Sequence, residues 1–213
     1  EQGEVASALG VDAEEVARRV KTLEEFNPML GHRGVRLAIT YPEIYEVQTR
    51  AILEGACEVG AEGVVVIPEI MVPLVAAVTE LASTRERIIA VAEAVFAERG
   101  SRVEYTIGTM IELPRACMTA DVIAEQADFF SFGTNDLTQT AFGISRDDAG
   151  RFLPAYLDMR LLERDPFVEL DRDGVGELIK IGIEKGRSTK PDLKIGICGE
   201  HGGEPSSVKF CHS

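Results

Sequence analysis

The chain has 213 residues, 45% hydrophobic and 27% charged, enough for one domain with a sizeable core or for most of a larger one. Its net charge of −14, from 22 basic and 36 acidic residues, disfavours nucleic acid and anionic membrane as partners, because both need a basic footprint. No apolar run approaches the roughly 18 residues of a membrane span, and the acidic start Glu1-Gln2-Gly3-Glu4 is unlike a signal peptide. Four cysteines without a CxxC pair do not make a secreted disulfide scaffold, so the expected compartment is reducing and cytoplasmic, or an organelle such as a plastid where a presequence has been removed.

The periodicity predicts a first amphipathic helix over Asp12–Phe26, with Asp12 as N-cap, Val16, Val20 and Leu23 near one face, and Asn27-Pro28 as its end. Met29–Arg36 is Gly-rich and basic, and brings Arg33 and Arg36 together; Val35–Thr40 within and beyond it reads as a strand candidate. Tyr41-Pro42-Glu43 starts a second helix, to about Val59, with proline in its first turn. Gly63–Pro68 (GVVVIP) reads as a buried strand that Glu69–Val72 extends. Ser83–Gly100 is a long helix closed by its glycine, and Arg102–Glu112 is the next strand. Thr119–Gln126 is a short helix, and Phe129–Phe132 a strand that breaks into the polar turn Gly133–Asp136. A polar segment runs from Ser145 to Asp173, and Gly176–Arg187 is helical. The strand Lys194–Cys198 opens into Gly199–Gly203, and Pro205–His212 begins a last helix. Strands alternating with crossover helices imply a parallel sheet with helices outside it. Three successive strands end in polar or Gly-containing turns, at Glu112, at Gly133–Asp136 and at Cys198–Gly203. In a β/α barrel those turns share the C-terminal face.

Glu112 and Asp136 both follow strands, and two carboxylates on one rim supply hard oxygen ligands for Mg²⁺ or Mn²⁺. The plainer reading makes them solvated rim carboxylates or partners of Arg115 and Arg146. Cys198 ends a strand before a Gly-rich turn, where a thiol serves as acid, base or nucleophile, or is simply a small apolar residue. A zinc set of Cys198, His201, Cys211 and His212 fits none of the familiar spacings. Gly133, Thr134 and Asn135 can present backbone N–H groups and an amide to an anion, or form an ordinary turn. Arg33 suits bidentate phosphate or carboxylate binding, or is a surface charge; Arg146 has Asp147 and Asp148 beside it, and His32 and His201 have no decisive partner in sequence. No P-loop, dinucleotide fingerprint or nucleophile elbow is present.

The segments NPMLGHRGVRLAITYPEIY, PEIMVPLV, GTMIELPRACMTAD, FFSFGTNDLTQTAFGISRDDAGRF and GICGEHGGEPSSVKFCH together resemble the C-terminal substrate-binding domain of the phosphoenolpyruvate-utilising enzymes. That group includes the pyruvate, phosphate dikinases, phosphoenolpyruvate synthase and enzyme I of the sugar phosphotransferase system. GTMIELPRA, FSFGTNDLTQ and SRDDAG favour the dikinase branch. The likeness runs in order over nearly the whole chain.

The resemblance implies that residues 1–213 form a partial (β/α)8 TIM-type barrel, lacking its first strands and its last. It implies a phosphoenolpyruvate or pyruvate site in which Glu112 and Asp136 hold Mg²⁺, with Mn²⁺ as an alternative. Gly133, Thr134, Asn135 and Asp136 would contact the substrate, together with Arg33 and Arg146. Cys198 would match the cysteine that protonates the enolate carbon. It further implies a phosphohistidine domain of the same full-length chain as partner, a separate nucleotide-binding domain, and a homodimer when full length. The rival expectations are a synthase or enzyme I relative with the same chemistry, and a non-catalytic binding module that keeps the barrel without turnover.

Overall fold

A computed structural model describes residues 2–23 and 29–212. They fall into two compact units, one ending at Arg33 and one starting at Gly34. The first unit holds two helices, α1 (Gln2–Leu9) and α2 (Ala13–Leu23). The predicted N-cap of α2 is present: the Asp12 carboxylate accepts the Glu14 N–H at 2.8 Å. The predicted helix end at Asn27-Pro28 lies outside the described residues.

The second unit is a mixed α/β structure around one parallel sheet. Its helices and strands run α3 (Val35–Thr40), α4 (Pro42–Ala61), β1 (Glu69–Val72), α5 (Val78–Arg99), β2 (Thr106–Ile111), α6 (Pro114–Met118) and α7 (Ala120–Ala124). They continue with β3 (Phe129–Gly133), α8 (Thr134–Phe142), α9 (Arg146–Ala149), α10 (Leu153–Asp158), α11 (Val175–Thr189), β4 (Lys194–Cys198) and α12 (Pro205–Cys211). The four strands lie in chain order, each parallel to the next.

Side chains alternate across the sheet. Ile70 and Val72, Ile107 and Ile111, Phe130 and Phe132, and Ile195 point to one face, into a core shared with Leu81 and Ile88 of α5, Ala116 of α6, Ile123 of α7 and Ile179 of α11. The opposite face carries Met71, Gly108, Met110, Ser131 and Gly196, and the buried Phe129, whose ring lies over Gly108. Met71, Met110 and Ser131 are half-buried and Gly196 is exposed. Glu69 and Lys194, the first residues of the two outer strands, join in an ion pair across this second face. In a flat sheet three gaps of about 4.8 Å would hold those strands about 14 Å apart. The sheet is therefore curled, with its helix-free face concave.

Besides added short helices such as α1, α6, α9 and α10, the fold departs from the sequence reading in its strands and turns. Val35–Thr40 is a helix and not a strand: Leu37 and Ala38 N–H bond back to the Gly34 carbonyl, and Val35 and Ala38 are buried three residues apart, on one helical face. Gly63–Pro68 is not a strand. Val64 and Val65 face water, with Val65 87% exposed, and the ladder begins only where Thr106 N–H reaches the Pro68 carbonyl. For the same reason β2 starts at Thr106 and not at Arg102. Finally, Gly133–Asp136 is not a free turn, because Thr134, Asn135 and Asp136 are already the first turn of α8.

Candidate functional site

Strand register fixes the site. Ile111 pairs with Phe132, so Glu112, one residue past β2, lies level with Gly133; Gly133 in turn pairs with Cys198. All three side-chain positions face the concave side, at the C-terminal ends of neighbouring parallel strands. Asp136 follows on the first turn of α8. Strand pairing thus gathers three of the expected residues on one rim, and the first turn of α8 adds the fourth.

Each carboxylate is buried and held. Glu112 is 3% exposed and Asp136 9%. Glu112 Oε1 accepts the Leu74 N–H at 2.6 Å. Leu74, just past β1, has φ +63°, an uncommon conformation for a bulky residue. It is braced from α3: a Cβ at Gly34 would lie 2.8 Å from Leu74 Cβ, and Val35 N–H donates to the Pro73 carbonyl at 3.0 Å. Glu112 Oε2 lies over Gly133, where an added Cβ would come within 2.6 Å of it and 2.5 Å of Met110 Sδ. Asp136 Oδ1 accepts from the Gln139 amide nitrogen at 2.8 Å, while Gln139 Oε1 accepts the Arg146 N–H at 2.8 Å. One amide therefore ties Asp136 to the start of α9.

The donor set fits a hard divalent cation. It offers two buried carboxylates, each fixed by an N–H donor, one just past β2 and one on the first turn of α8. Among the described residues no group of three or more His, Cys, Asp or Glu side chains comes together. The zinc alternative fails on the same ground. His201 has both ring nitrogens engaged by protein, and Cys211 is exposed on α12.

The Cys198 thiol lies 3.5 Å from the Phe132 carbonyl. The next residue, Gly199, adopts φ +87° and ψ −172°, a region open essentially to glycine alone. A Cβ there would meet the side chains of Asn135 and Thr134 at 3.3 and 3.4 Å. Thr134 is fully buried, and its hydroxyl lies 3.2 Å from the Cys198 carbonyl and 2.8 Å from His201 Nδ1. His201 is fully buried on the short 3-10 turn Glu200–Gly202, and burial holds its imidazole below the usual histidine range. Its Nε2 sits 2.9 Å from the Pro166 carbonyl. The Thr134 side chain is therefore turned away from the concave face, leaving its backbone N–H as the group a ligand could meet. Asn135 Oδ1 is buried with no hydrogen-bond partner.

The arginines are placed differently. Arg33 belongs to the first unit, where its guanidinium donates to the Met29 carbonyl at 3.3 Å. Arg146 pairs with Glu200, two residues past Cys198, and not with the neighbouring Asp147 or Asp148. Arg115 bonds the Ala76 carbonyl. Sequence reading missed Leu74, Gln139 and the role of His201. Of these, only Gln139 carries a local signal, three residues after Asp136 on one helix face, and that signal needs α8 to be recognised first.

Residues 6–213 match the family described as PEP-utilising enzyme, PEP-binding domain. The chain belongs to this family. Among curated relatives of this PEP-binding domain, the pyruvate, phosphate dikinase of Rhizobium meliloti (strain 1021) is 61% identical over 212 residues, which is 99% of this chain and 24% of that protein. The pyruvate, phosphate dikinase of Clostridium symbiosum is 58% identical over 213 residues, 100% of this chain and 24% of its own length. The Arabidopsis thaliana protein named pyruvate, phosphate dikinase 1, chloroplastic, is 58% identical over 207 residues, 97% of this chain and 22% of its own length. The chain thus spans about a quarter of the relatives it matches. Among the described residues no helix is long and apolar enough to cross a membrane.

Proposed function

We propose that this chain is the phosphoenolpyruvate/pyruvate-binding part of a pyruvate, phosphate dikinase. The observation that carries the reading is the row of Glu112, Gly133 and Cys198 on three adjacent strand ends, with Asp136 one helical turn away. Four parallel strands in chain order, helices on one face and a curled second face support placing it in a (β/α)8 barrel. The full reaction is the interconversion of ATP, phosphate and pyruvate with AMP, diphosphate and phosphoenolpyruvate. The partner is a phosphohistidine domain of the same polypeptide, and the whole enzyme is a homodimer.

Glu112 and Asp136 are the residues that would hold Mg²⁺, or Mn²⁺. A divalent cation there supplies positive charge against the developing charge of an enolate. The remaining steps belong to side chains and backbone. The N–H groups of Thr134, Asn135 and Asp136 open α8 and point toward the rim, where helix-end donors favour an anionic substrate group. Glycine at 133 keeps the floor flat beneath the Glu112 carboxylate. The Cys198 thiol gives its proton to the methylene carbon of the enolate, forming the methyl group of pyruvate and leaving a thiolate. In reverse, that thiolate removes a methyl proton. Arg33 and Arg146 are the proposed partners of the substrate's anionic groups; for Arg146 this requires release from Glu200.

The test is exchange of the pyruvate methyl protons with deuterated water, followed by proton NMR in the full-length enzyme. Cys198→Ala should lower the exchange rate by at least about a hundredfold, the scale of a lost general acid–base. Exchange at the wild-type rate would remove Cys198 from the mechanism. Calorimetric titration with oxalate and Mg²⁺ should show binding in the wild type and its loss in Glu112→Ala and Asp136→Ala.

A further inference from the structure

Three contacts run in a line through buried groups: the Pro166 carbonyl to His201 Nε2 at 2.9 Å, His201 Nδ1 to Thr134 Oγ1 at 2.8 Å, and Thr134 Oγ1 to the Cys198 carbonyl at 3.2 Å. Both ends are carbonyl oxygens, which only accept. Each contact needs one proton, so the line needs three. A neutral imidazole has one ring N–H and threonine one O–H, which makes two. An imidazolium brings the third.

The neutral state must therefore leave one contact without a proton. A ring proton on Nδ1 would set the bare Nε2 lone pair 2.9 Å from the Pro166 carbonyl oxygen, so the proton sits on Nε2 and the Thr134 hydroxyl turns to the bare Nδ1. The Cys198 carbonyl, at the longest of the three distances, then loses its donor. In the charged state Nδ1–H donates to Thr134 Oγ1 and the hydroxyl swings to the Cys198 carbonyl. We propose that His201 is a positioning residue for Cys198, acting through the Thr134 hydroxyl, and that the charge on its ring sets which way that hydroxyl points. The importance of this for turnover rests on the reading of Cys198 as the proton donor.

The geometry gives the switch something to move. The carbonyl at its end belongs to the peptide between Cys198 and Gly199, and Gly199 sits in a backbone region where only glycine is at ease. A hydroxyl that grips or releases that carbonyl reorients the peptide plane, and with it the Cα–Cβ bond that aims the thiol. The charged groups around the imidazole are mixed. Glu200 on its own turn and Glu204 ahead of α12 favour the charged ring, while Arg146 on α9 and burial favour the neutral one. α8 presents the Thr134 hydroxyl, and the segment before Phe167 presents the Pro166 carbonyl.

The experiment is alkylation of Cys198 by iodoacetamide in the full-length enzyme between pH 5 and 8. Trypsin separates the Cys198 peptide, Ile195–Lys209, from the Cys211 peptide that starts at Phe210. Cys57 and Cys117 are buried, and burial pushes the Cys117 thiol up to about 12. The wild-type rate divided by the Thr134→Val rate at each pH removes the common thiolate dependence. That ratio should change about fivefold across the His201 titration, the worth of one hydrogen bond. The same ratio for His201→Asn, which keeps a partner for Thr134 but does not titrate, should be flat, and Thr134→Ser should restore the wild-type curve. A flat wild-type ratio overturns the proposal, and so does a Thr134→Ser curve that follows Thr134→Val; this pair keeps the test decisive even where His201→Asn fails to fold. A pH-dependent ratio without any pyruvate methyl exchange would keep the positioning role and remove the proton-donor reading of Cys198. Exchange with a flat ratio would do the reverse.

Discussion

Gly133 is a residue whose importance lies in what it leaves out. Its missing side chain gives Glu112 Oε2 and Met110 Sδ the space they occupy. Gly133→Ala should push the Glu112 carboxylate off its present place without unfolding the sheet, because the displaced atoms are side-chain ends. The expected outcome is a tenfold to hundredfold loss of Mn²⁺ affinity, on the order seen when groups supporting metal ligands are lost, with an unchanged circular dichroism spectrum. Electron paramagnetic resonance of bound Mn²⁺ measures it directly. Gln139→Leu removes the amide that holds Asp136 and should weaken Mn²⁺ as well. Wild-type affinity in both Gly133→Ala and Gln139→Leu would show that neither support matters. Glu112, Asp136 and Cys198 are legible in the sequence because each follows an apolar run that ends abruptly in polar or Gly-containing residues. Leu74 and His201 are not, since their partners lie 35 to 67 residues away. Gln139 is hidden by a different cause, the reading of its helix as a turn.

The contact between β3 and α11 shows how an element can be set by small residues on one side and large ones on the other. A Cβ at Gly182 would come within 3.0 Å of the Phe132 ring, and one at Gly186 within 2.8 Å of Phe130. The two glycines, four apart on one helix face, form the groove that receives the two rings. Gly186→Ala gains about 1 kcal/mol of helix propensity and loses about 1–3 kcal/mol to overpacking, so it should be net destabilising in urea titration. Gly55→Ala, in α4 with open space around the new methyl group, should shift the urea midpoint the other way. At the other end of the chain Glu204 caps α12, accepting the Ser206 and Ser207 N–H groups at 2.8 and 2.6 Å. The Ser207 hydroxyl and these amides hold its carboxyl down to about 2, from an ordinary 4.5. The folded value is depressed, so its stabilisation is fully present above about 4.5 and is lost as pH falls toward 2. Glu204→Gln should flatten stability against pH within that window, as read by thermal melts at successive pH values. Helices with a clear cap or a long apolar stripe were readable. Val35–Thr40 was not, because its β-branched residues suit a strand, and it is a helix through the Leu37 and Ala38 N–H groups donating to the Gly34 carbonyl and the Tyr41 N–H donating to the Leu37 carbonyl.

At the scale of the molecule, one face of the sheet does the packing and the other does the gathering. The core lies between sheet and helices, so Ile107→Ala, fully inside it, should cost about 2–5 kcal/mol. Val65→Ser, in a run that reads as core but faces water, should change stability by less than about 0.5 kcal/mol. The parallel order of the strands was legible from the alternation of strand and helix patterns. The curl was not, since the contact that reports it joins Glu69 to Lys194, 125 residues apart in the chain. That contact crosses the concave face at the N-terminal ends of the strands, opposite the end that carries Glu112 and Cys198. The two ends of that face therefore differ in character: one carries a mutually neutralising Glu69 and Lys194, the other two buried carboxylates beside the amide groups that open α8 and a thiol.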